Sequence, residues 1–224
     1  TELMSHIIFS LVKKNEEVVI LDPTYPMYEV LCDLHGVKYK KWKFNKSLTL
    51  EINDLKKIIT NKTRVIFLVN PNLPIEFEFN DKLKKQIYKM CIKKNIVLAY
   101  DEAYYHFGSK TEIKNAITKK NIIVMRTFSK AWGLPSIRLG FLVTNKKLCE
   151  YISKCRSLVE TNALSYQIAM WALSNKKILN NHVSQIKSGS KFIHKNLKKS
   201  NITFRGGNVT NAVLIKLNSK KEAE

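Results

Sequence analysis

The chain has 224 residues, of which 45% are hydrophobic and 25% charged, a globular composition with room for one domain and part of a second. Its formal net charge is +21, but the charge comes mainly from scattered lysines, without the aromatic interleaving or motif spacing of a nucleic-acid-binding protein. No run of about 18 apolar residues occurs, so neither a membrane span nor a membrane partner is expected.

The first half of the chain alternates apolar runs with helical periodicity. Strands are predicted at residues 16–22, 37–44 and 65–69. Helices are predicted at the beginning of the chain and at residues 28–34, 53–60 and 81–94. The run 65–69 is apolar throughout, which is typical of a strand buried on both faces, whereas 37–44 alternates apolar and basic residues and is predicted to be half exposed.

The second half continues this alternation and then becomes mainly helical. Further strands are predicted at residues 96–100, 122–125 and 140–143. Helices follow at 148–159, 163–173 and 178–197, and strand character returns at Phe204 and 212–217. Strands that alternate with helices predict a parallel sheet with right-handed crossovers. We therefore predict a large α/β domain in residues 1–160, followed in residues 161–224 by interdomain helices and the beginning of a smaller α+β domain.

Four loops carry polar side chains at the place where open α/β sheets bind ligands, the carboxyl ends of the strands. They comprise residues 22–25, 70–74, 101–104 and 127–130. Convergence of these loops on one edge would bring together a lysine, a carboxylate, two phenols and a threonine hydroxyl: Lys130, Asp101, Tyr25, Tyr104 and Thr127. A carboxylate directly after an apolar strand requires a cationic or hydrogen-bonding partner.

Three of these residues also have a purely structural explanation. Lys130 is one of many lysines that are expected to be solvated, and Tyr25 can be a turn residue that packs on the core. The Thr127 hydroxyl can bond to backbone at the end of a strand. The position of Lys130, in a Ser/Thr-rich turn after a buried strand and shortly before Arg138, favours a functional role.

Four segments, in this order along the chain, resemble those of the aspartate-aminotransferase superfamily, the class I/II pyridoxal-phosphate enzymes of fold type I. They are Pro23-Thr24-Tyr25-Pro26-Met27-Tyr28, Asn70-Pro71-Asn72-Leu73-Pro74, Asp101-Glu102-Ala103-Tyr104 and Arg126-Thr127-Phe128-Ser129-Lys130-Ala131-Trp132-Gly133-Leu134. Asp101 precedes Lys130 by 29 positions (130 − 101), and the likeness extends over nearly the whole chain. The segments are most similar to those of the histidinol-phosphate aminotransferase branch.

The resemblance implies a role for each candidate residue around one pyridoxal 5'-phosphate. Lys130 would bind the cofactor aldehyde covalently and later move a proton at the substrate α-carbon, with an amine made reactive by desolvation and a nearby cation. Asp101 would pair with the pyridine nitrogen and Tyr104 would hydrogen-bond the ring oxygen. Tyr25 would stack on the ring. The phosphate would be held by Arg138 with help from the Thr127 hydroxyl.

The family also implies a fold, an activity and partners. The fold is a three-layer α/β structure with a mostly parallel sheet between helices, and the protein is expected to be a homodimer. The activity is transfer of an amino group between an amino acid and an oxo-acid or phosphorylated ketone. Two alternatives stay open: a pyridoxal-phosphate decarboxylase or lyase of the threonine-phosphate decarboxylase kind, or a non-catalytic basic module that binds nucleic acid or a membrane surface.

The chain departs from the family pattern in its second loop. The family writes Asn-Pro-x-Asn-Pro-Thr-Gly, whereas Leu73 stands here in place of the second asparagine and Ile75-Glu76 in place of Thr-Gly. Leucine cannot donate a hydrogen bond to the ring oxygen, so Tyr104 is expected to be the main donor unless Asn72 turns towards the ring. The phosphate-binding Gly-Ser turn and the arginine for the substrate carboxylate are not found, so we expect a fragment of a longer protein.

The four cysteines give no indication of a metal site or a disulfide framework. Cys32, Cys91, Cys149 and Cys155 form no Cys-x-x-Cys pair and match no zinc-binding spacing. We therefore expect free thiols in a reducing cytoplasm and no bound metal.

Overall fold

The computed structural model of the protein describes residues 1–158, 160–217, 219 and 222. The helices are α1 Glu2–Leu11, α2 Met27–Leu34, α3 Ile52–Ile58, α4 Asp81–Lys93, α5 Ile113–Thr118, α6 Lys146–Ser153, α7 Ala163–Ser174 and α8 Lys176–Lys199. The strands are β1 Glu17–Asp22, β2 Lys38–Lys43, β3 Thr63–Val69, β4 Val97–Asp101, β5 Ile122–Thr127, β6 Gly140–Thr144, β7 Phe204–Gly206 and β8 Val213–Ile215.

Most of these elements agree with the sequence predictions, with two exceptions. The short helix α5 was not predicted. The helix predicted at 148–159 is shorter, since α6 ends at Ser153. Its predicted last residue, Val159, lies outside the described residues, as do residues 218, 220, 221, 223 and 224 of the predicted second domain.

The large sheet has the strand order β2-β1-β3-β4-β5-β6. The first five strands are parallel to their neighbours, which confirms a mostly parallel sheet. Strand β6 instead pairs antiparallel with β5. The reason is the connection between them, which contains only the 3-10 turn Pro135–Ile137 and no crossover helix that could return the chain to the opposite edge.

Helices cover both faces of this sheet. Successive side chains of a strand point to opposite faces, and in β3 five consecutive residues, from Val65 to Val69, are all buried. From β1 the chain moves to one side to form β2 and later to the other side to form β4 and β5, so right-handed crossovers put α2 on one face and α3 and α4 on the other. The contacts agree, because α2 packs against α1, and α3 packs against α4.

The strand order also determines where a ligand can bind. The connections leave β1 and β3 in opposite directions, and such a reversal opens a crevice at the carboxyl ends of the two strands. A second hydrophobic cluster lies near this edge and joins the 128–137 loop to α7 and α8 through Phe128, Ala131, Trp132, Ala169 and Leu179. Strands β7 and β8 form a separate antiparallel hairpin.

Two further expectations concern cysteines and membranes. All four cysteines are free thiols, and Cys32 and Cys91 are buried. Burial raises the pKa of both thiols to about 12, so neither is a reactive thiolate at neutral pH. Among the helices of the described residues, none combines the length and the apolar character that a membrane crossing requires.

Candidate active site

A cavity of about 530 Å³ opens at the carboxyl edge of the sheet, where β1, β3, β4 and β5 end. Its lining includes residues from all four loops that the sequence predicted to converge. All six candidate residues line it: Tyr25, Asp101, Tyr104, Thr127, Lys130 and Arg138. The predicted convergence is therefore confirmed, and the volume lies within the range of small-molecule and cofactor sites.

The loop after β5 presents Lys130 to the cavity because its neighbours are buried. Phe128, Ala131 and Trp132 pack in the second hydrophobic cluster, whereas the Lys130 side chain is exposed. The turn is closed by a hydrogen bond from the backbone N–H of Gly133 to the carbonyl of Lys130, 2.9 Å. The desolvation expected of the Lys130 amine is therefore not found in this structure, and a ligand that fills the cavity would have to provide it.

Asp101 is the last residue of β4 and is only 7% exposed. Its carboxylate accepts hydrogen bonds from the Tyr28 hydroxyl, 2.8 Å, and from the backbone N–H of Ala103, 3.0 Å. Burial raises the pKa of the Asp101 carboxyl, and these two hydrogen bonds and the charge of Lys130 oppose the rise. Among the described residues it forms no ion pair, so the buried carboxylate favours a cationic partner from a ligand.

Tyr28 is a site residue that the sequence analysis did not identify. It lies in α2 and is fully buried, and burial followed by the charge of Asp101 raises its pKa well above the ordinary value. Its hydroxyl is therefore a stable donor that orients the Asp101 carboxylate. The sequence did contain an indication of this role. Tyr28 ends the segment 23–28 and lies on the buried face of a helix, where a phenol needs a hydrogen-bond partner.

The two other tyrosines lie at the cavity itself. The Lys130 Nζ atom is 5.3 Å from the centroid of the Tyr104 ring, so the phenol and the amine share the same space. Tyr25 is 46% exposed, which excludes the alternative that it packs in the core. An exposed aromatic ring at the rim is free to cover a planar ligand.

One end of the cavity is suited to an anion. Arg138 has a left-handed backbone, φ 52°, which is uncommon for a residue with a side chain and directs it to the rim. Its guanidinium donates to the carbonyl of Pro135, 2.9 Å. Thr1, and Leu3 and Met4 of the first helix, also line the cavity.

The structure is consistent with both explanations of Thr127, a backbone contact at the end of a strand and a hydroxyl at the cavity. Its hydroxyl accepts a hydrogen bond from the backbone N–H of Ser129, 3.1 Å, and lies 3.5 Å from the carbonyl of Leu139. It also lines the cavity.

Strand β6 approaches β5 closely at the same strand end. A Cβ on Gly140 would meet the Arg126 carbonyl oxygen at 2.7 Å, so glycine is required there.

The second loop places Leu73, and not Asn72, in the cavity lining. The Asn72 side chain is buried and fully used: its amide donates to the carbonyls of Pro23 and Ile75, 3.1 and 3.2 Å, and its oxygen accepts from the Thr24 hydroxyl, 2.7 Å. The alternative that Asn72 turns towards the cavity is therefore wrong in this structure. The predicted loss of a hydrogen-bond donor at position 73 stands.

A buried ionic network fixes the loop that follows Asp101. Glu102 is 1% exposed and accepts two hydrogen bonds from the Arg126 guanidinium, 3.0 and 2.8 Å, and one from the Thr111 hydroxyl, 2.8 Å. The Arg126 guanidinium also lies 3.8 Å from the centroid of the Tyr105 ring. These contacts hold the β4 and β5 loops together, which keeps Asp101 and Lys130 at the same cavity.

One group of side chains outside the cavity approaches the geometry of a metal site. Glu2, His6 and Glu160 bring three ligand atoms within 4.8 Å of one another. Glu160, however, already forms an ion pair with Arg156 at 2.6 Å. A guanidinium bound to a prospective ligand opposes a cation at the same place.

Replacing Asp101 by asparagine is expected to stabilise the unliganded protein by about 1 kcal/mol at neutral pH, because a poorly compensated buried charge is removed. The folded pKa is raised, so the carboxyl stabilises the fold below its unfolded pKa of about 3.9 and loses this contribution as pH rises through the folded value. Thermal unfolding of the unliganded protein, measured between about pH 4 and 8, should show that Asp101→Asn is more stable than the native protein by a margin that grows with pH.

The exposed acid Asp33 provides the matched control, since Asp33→Asn changes the charge equally at the surface. We expect its effect to stay within about 0.5 kcal/mol. An Asp101→Asn advantage that shrinks as pH rises would contradict the raised pKa.

The whole chain, residues 1–224, matches the family described as aminotransferase class I and II. A histidinol-phosphate aminotransferase of Methanococcus aeolicus is 31% identical over 182 residues, which are 79% of this chain and 48% of the relative. The histidinol-phosphate aminotransferase of Methanocaldococcus jannaschii is 28% identical over 227 residues, which cover 100% of this chain and 60% of the relative.

A solved structure gives the same fold. The histidinol-phosphate aminotransferase from Sinorhizobium meliloti, in complex with pyridoxal-5'-phosphate, superimposes with a TM-score of 0.86 over 98% of this chain and 60% of that chain. At 20% identity this likeness establishes the fold, including its mostly parallel sheet between helices. The chain spans 48% to 60% of the length of these three proteins.

Proposed function

The chain belongs to the aminotransferase class I and II family, and from this membership we propose that it is the central part of a pyridoxal 5'-phosphate-dependent aminotransferase. The reaction is transfer of an amino group between an amino acid and an oxo-acid or phosphorylated ketone. One observation carries the proposal: the Lys130 amine and the buried Asp101 carboxylate line the same cavity, together with Tyr25, Tyr104 and Arg138.

The cavity fits this cofactor by its chemistry. A buried carboxylate whose hydrogen-bond donors are neutral, Tyr28 and Ala103, complements a protonated pyridine nitrogen. The Arg138 guanidinium and the Thr127 hydroxyl, which both line the cavity, complement a phosphate. When bound, pyridoxal phosphate supplies an electron sink for the electron pair left at the substrate α-carbon.

The residues of the chain then have distinct tasks. Asp101 keeps a proton on the ring nitrogen, and Tyr28 orients its carboxylate. Lys130 would hold the cofactor through its amine, and the same amine would move a proton at the substrate α-carbon. Tyr104 donates a hydrogen bond to the ring oxygen, and Tyr25 covers the ring and excludes water.

Further parts of the proposal concern the whole protein. The name shared by the relatives supports a substrate of the histidinol-phosphate class. We also propose a homodimer in the cytoplasm. The division into a large domain, residues 1–160, and interdomain helices with the beginning of a small domain, residues 161–224, remains part of the same proposal. The decarboxylase or lyase alternative differs only in which bond at the α-carbon breaks.

The proposal is tested on the full-length protein that contains this chain. Purified protein with pyridoxal phosphate should give a visible absorption band, and addition of an amino acid should convert the cofactor to its amine form and release the matching oxo-acid. Release of carbon dioxide without oxo-acid would support a decarboxylase. A salt-sensitive association with nucleic acid or anionic vesicles and no visible band would support the basic binding module.

Leu73→Asn is expected to lower, by about one unit, the pKa at which the visible band of the lysine-bound cofactor titrates. The added amide would donate a hydrogen bond to the ring oxygen and stabilise its negative charge, so the neighbouring nitrogen would hold its proton less firmly. Spectrophotometric titration measures this value. Leu73→Met, which adds no donor, is the control and should titrate like the native protein. An unchanged titration in Leu73→Asn would show that position 73 does not face the ring.

A further inference from the structure

The carboxylate of Glu76 binds a turn that lies more than a hundred residues further along the chain, about residues 208–210. It accepts hydrogen bonds from the backbone N–H of Asn208, 3.0 Å, and of Val209, 3.1 Å. The side-chain amide of Asn208, 3.1 Å, and the hydroxyl of Thr210, 2.7 Å, complete the set. Successive backbone N–H groups that converge on one carboxylate form an anion-binding nest.

The Glu76 carboxylate interacts mainly with this turn. Among the described residues, no lysine or arginine forms an ion pair with Glu76, although the chain is strongly basic. Thr210 is 2% exposed, so its bond to the carboxylate is shielded from water. Hydrogen bonds to a charged group are stronger than those between neutral groups.

The bound turn connects β7 to β8. This hairpin is also held by His194 of α8, which bonds to the Gly206 carbonyl at 2.8 Å and stacks on the Phe204 ring. Each strand has three residues, and within the part of the chain that the structure describes they pair with each other and with no further strand. A two-stranded hairpin is marginally stable alone. The hairpin also fits closely against the second loop: a Cβ on Gly206 would lie 3.5 Å from the Glu76 Cβ and 2.8 Å from the Ala212 carbonyl oxygen.

The hairpin forms one wall of the cavity. Ala212, Val213 and Leu214 line it, facing the same space as Leu73 and Pro74 of the second loop. The second loop therefore lines the cavity through Leu73 and Pro74, and through Glu76 it holds the hairpin that also lines the cavity. Glu76 stands where the resembled family has glycine, so this tie is a property of the present chain.

We propose that Glu76 is a positioning residue that holds the β7–β8 hairpin as the apolar wall of the cavity and thereby sets the affinity for the amino-acid substrate. Its effect on substrate affinity rests on the proposed function, whereas its effect on the hairpin does not. The carboxylate touches neither Lys130 nor Asp101, so the chemistry at those residues is left unchanged.

Hydrogen–deuterium exchange of the full-length protein without cofactor tests the hairpin. We expect Glu76→Ala to exchange the backbone amides of Asn208, Val209 and the hairpin at least about tenfold faster, and Glu76→Gln, which keeps one acceptor oxygen, to lie between it and the native protein. Protection of β3 and β4 amides reports whether the fold is intact. Glu78→Ala, at an exposed position of the same loop, is the matched control and should leave exchange unchanged.

Steady-state kinetics of the same variants with cofactor test the consequence for substrate. Glu76→Ala should raise KM for the amino donor by roughly tenfold with kcat within about twofold, since binding is lost and the transition state chemistry is retained. The pKa of the visible band should stay at the native value. Native exchange at Asn208 and Val209 in both Glu76 variants would overturn the proposal, as would a loss of kcat at unchanged KM.

The proposed function and the proposed role of Glu76 can be disproved independently of each other. A native protein without a visible band or amino transfer would remove the proposed function, while the exchange experiment would still decide the role of Glu76 in holding the hairpin.

Discussion

Lys130→Ala is expected to abolish the visible absorption band that pyridoxal phosphate gives with the full-length protein and to lower amino transfer by at least about 10⁴-fold. In the proposed function, this variant would lack both the nucleophile that binds the aldehyde and the base that moves the proton at the α-carbon. No other lysine of the described residues lines the cavity, so none is placed to replace it. Absorption spectroscopy and oxo-acid formation measure the two losses.

Two control variants distinguish the loss of the covalent bond to Lys130 from the loss of its positive charge. Lys130→Arg keeps the positive charge but has no amine that can bind the aldehyde, and it should lose the band as completely as Lys130→Ala. Lys147→Ala removes the same charge at an exposed position of α6 and should behave like the native protein. A band that survives in Lys130→Ala would show that another amine holds the cofactor.

Asp101→Ala is expected to retain weak cofactor binding and to lower kcat on the order of 10³-fold. In the proposed function, the ring nitrogen would lose its proton without this carboxylate, and a neutral pyridine is a weaker electron sink. The phosphate end of the cavity is unaffected, which preserves part of the affinity. Cofactor titration and steady-state kinetics of the same preparation distinguish the two effects.

Tyr28→Phe is a milder variant that tests the same carboxylate. It keeps the Asp101 carboxylate and the hydrogen bond from Ala103 but removes the 2.8 Å bond from the phenol. We expect a loss of kcat much smaller than that of Asp101→Ala, about tenfold. Near-native turnover in Asp101→Ala would remove the role assigned to the carboxylate.

The sequence predicted the strands well because their apolar runs are local and continuous. The run 65–69 is buried throughout, and the polar residues that follow each run lie at one edge, as the parallel arrangement requires. The direction of β6 was not predictable in the same way. It depends on a connection without a helix, and hydrophobic periodicity does not report the direction of a strand.

The contacts that complete the site were not predictable from local pattern. Tyr28 bonds to Asp101 across 73 positions, and Glu76 bonds to Thr210 across 134 positions. Both depend on how separate elements meet in space. The loops at the strand ends identified the candidate residues and the resemblance implied their roles. Neither gave any indication of the Glu76 contact, because the resembled family has glycine at that position.

Local reasoning also gave two expectations that the structure revises. The Lys130 side chain is exposed, so the predicted desolvation of its amine is not a property of the chain alone. Asn72 is held by Pro23, Ile75 and Thr24 and does not substitute for the asparagine missing at position 73. In both cases the deciding factor was the set of neighbours, which the sequence does not show.

The central claim is that one planar ring fits between the Lys130 amine and the Asp101 carboxylate. A crystal structure of the full-length protein with pyridoxal phosphate measures this most directly. We predict electron density continuous from the Lys130 Nζ atom into the cofactor, with the ring nitrogen within hydrogen-bond distance of Asp101 and the phosphate beside Arg138. A cofactor joined to a different lysine, or a ring whose nitrogen points away from Asp101, would contradict the claim.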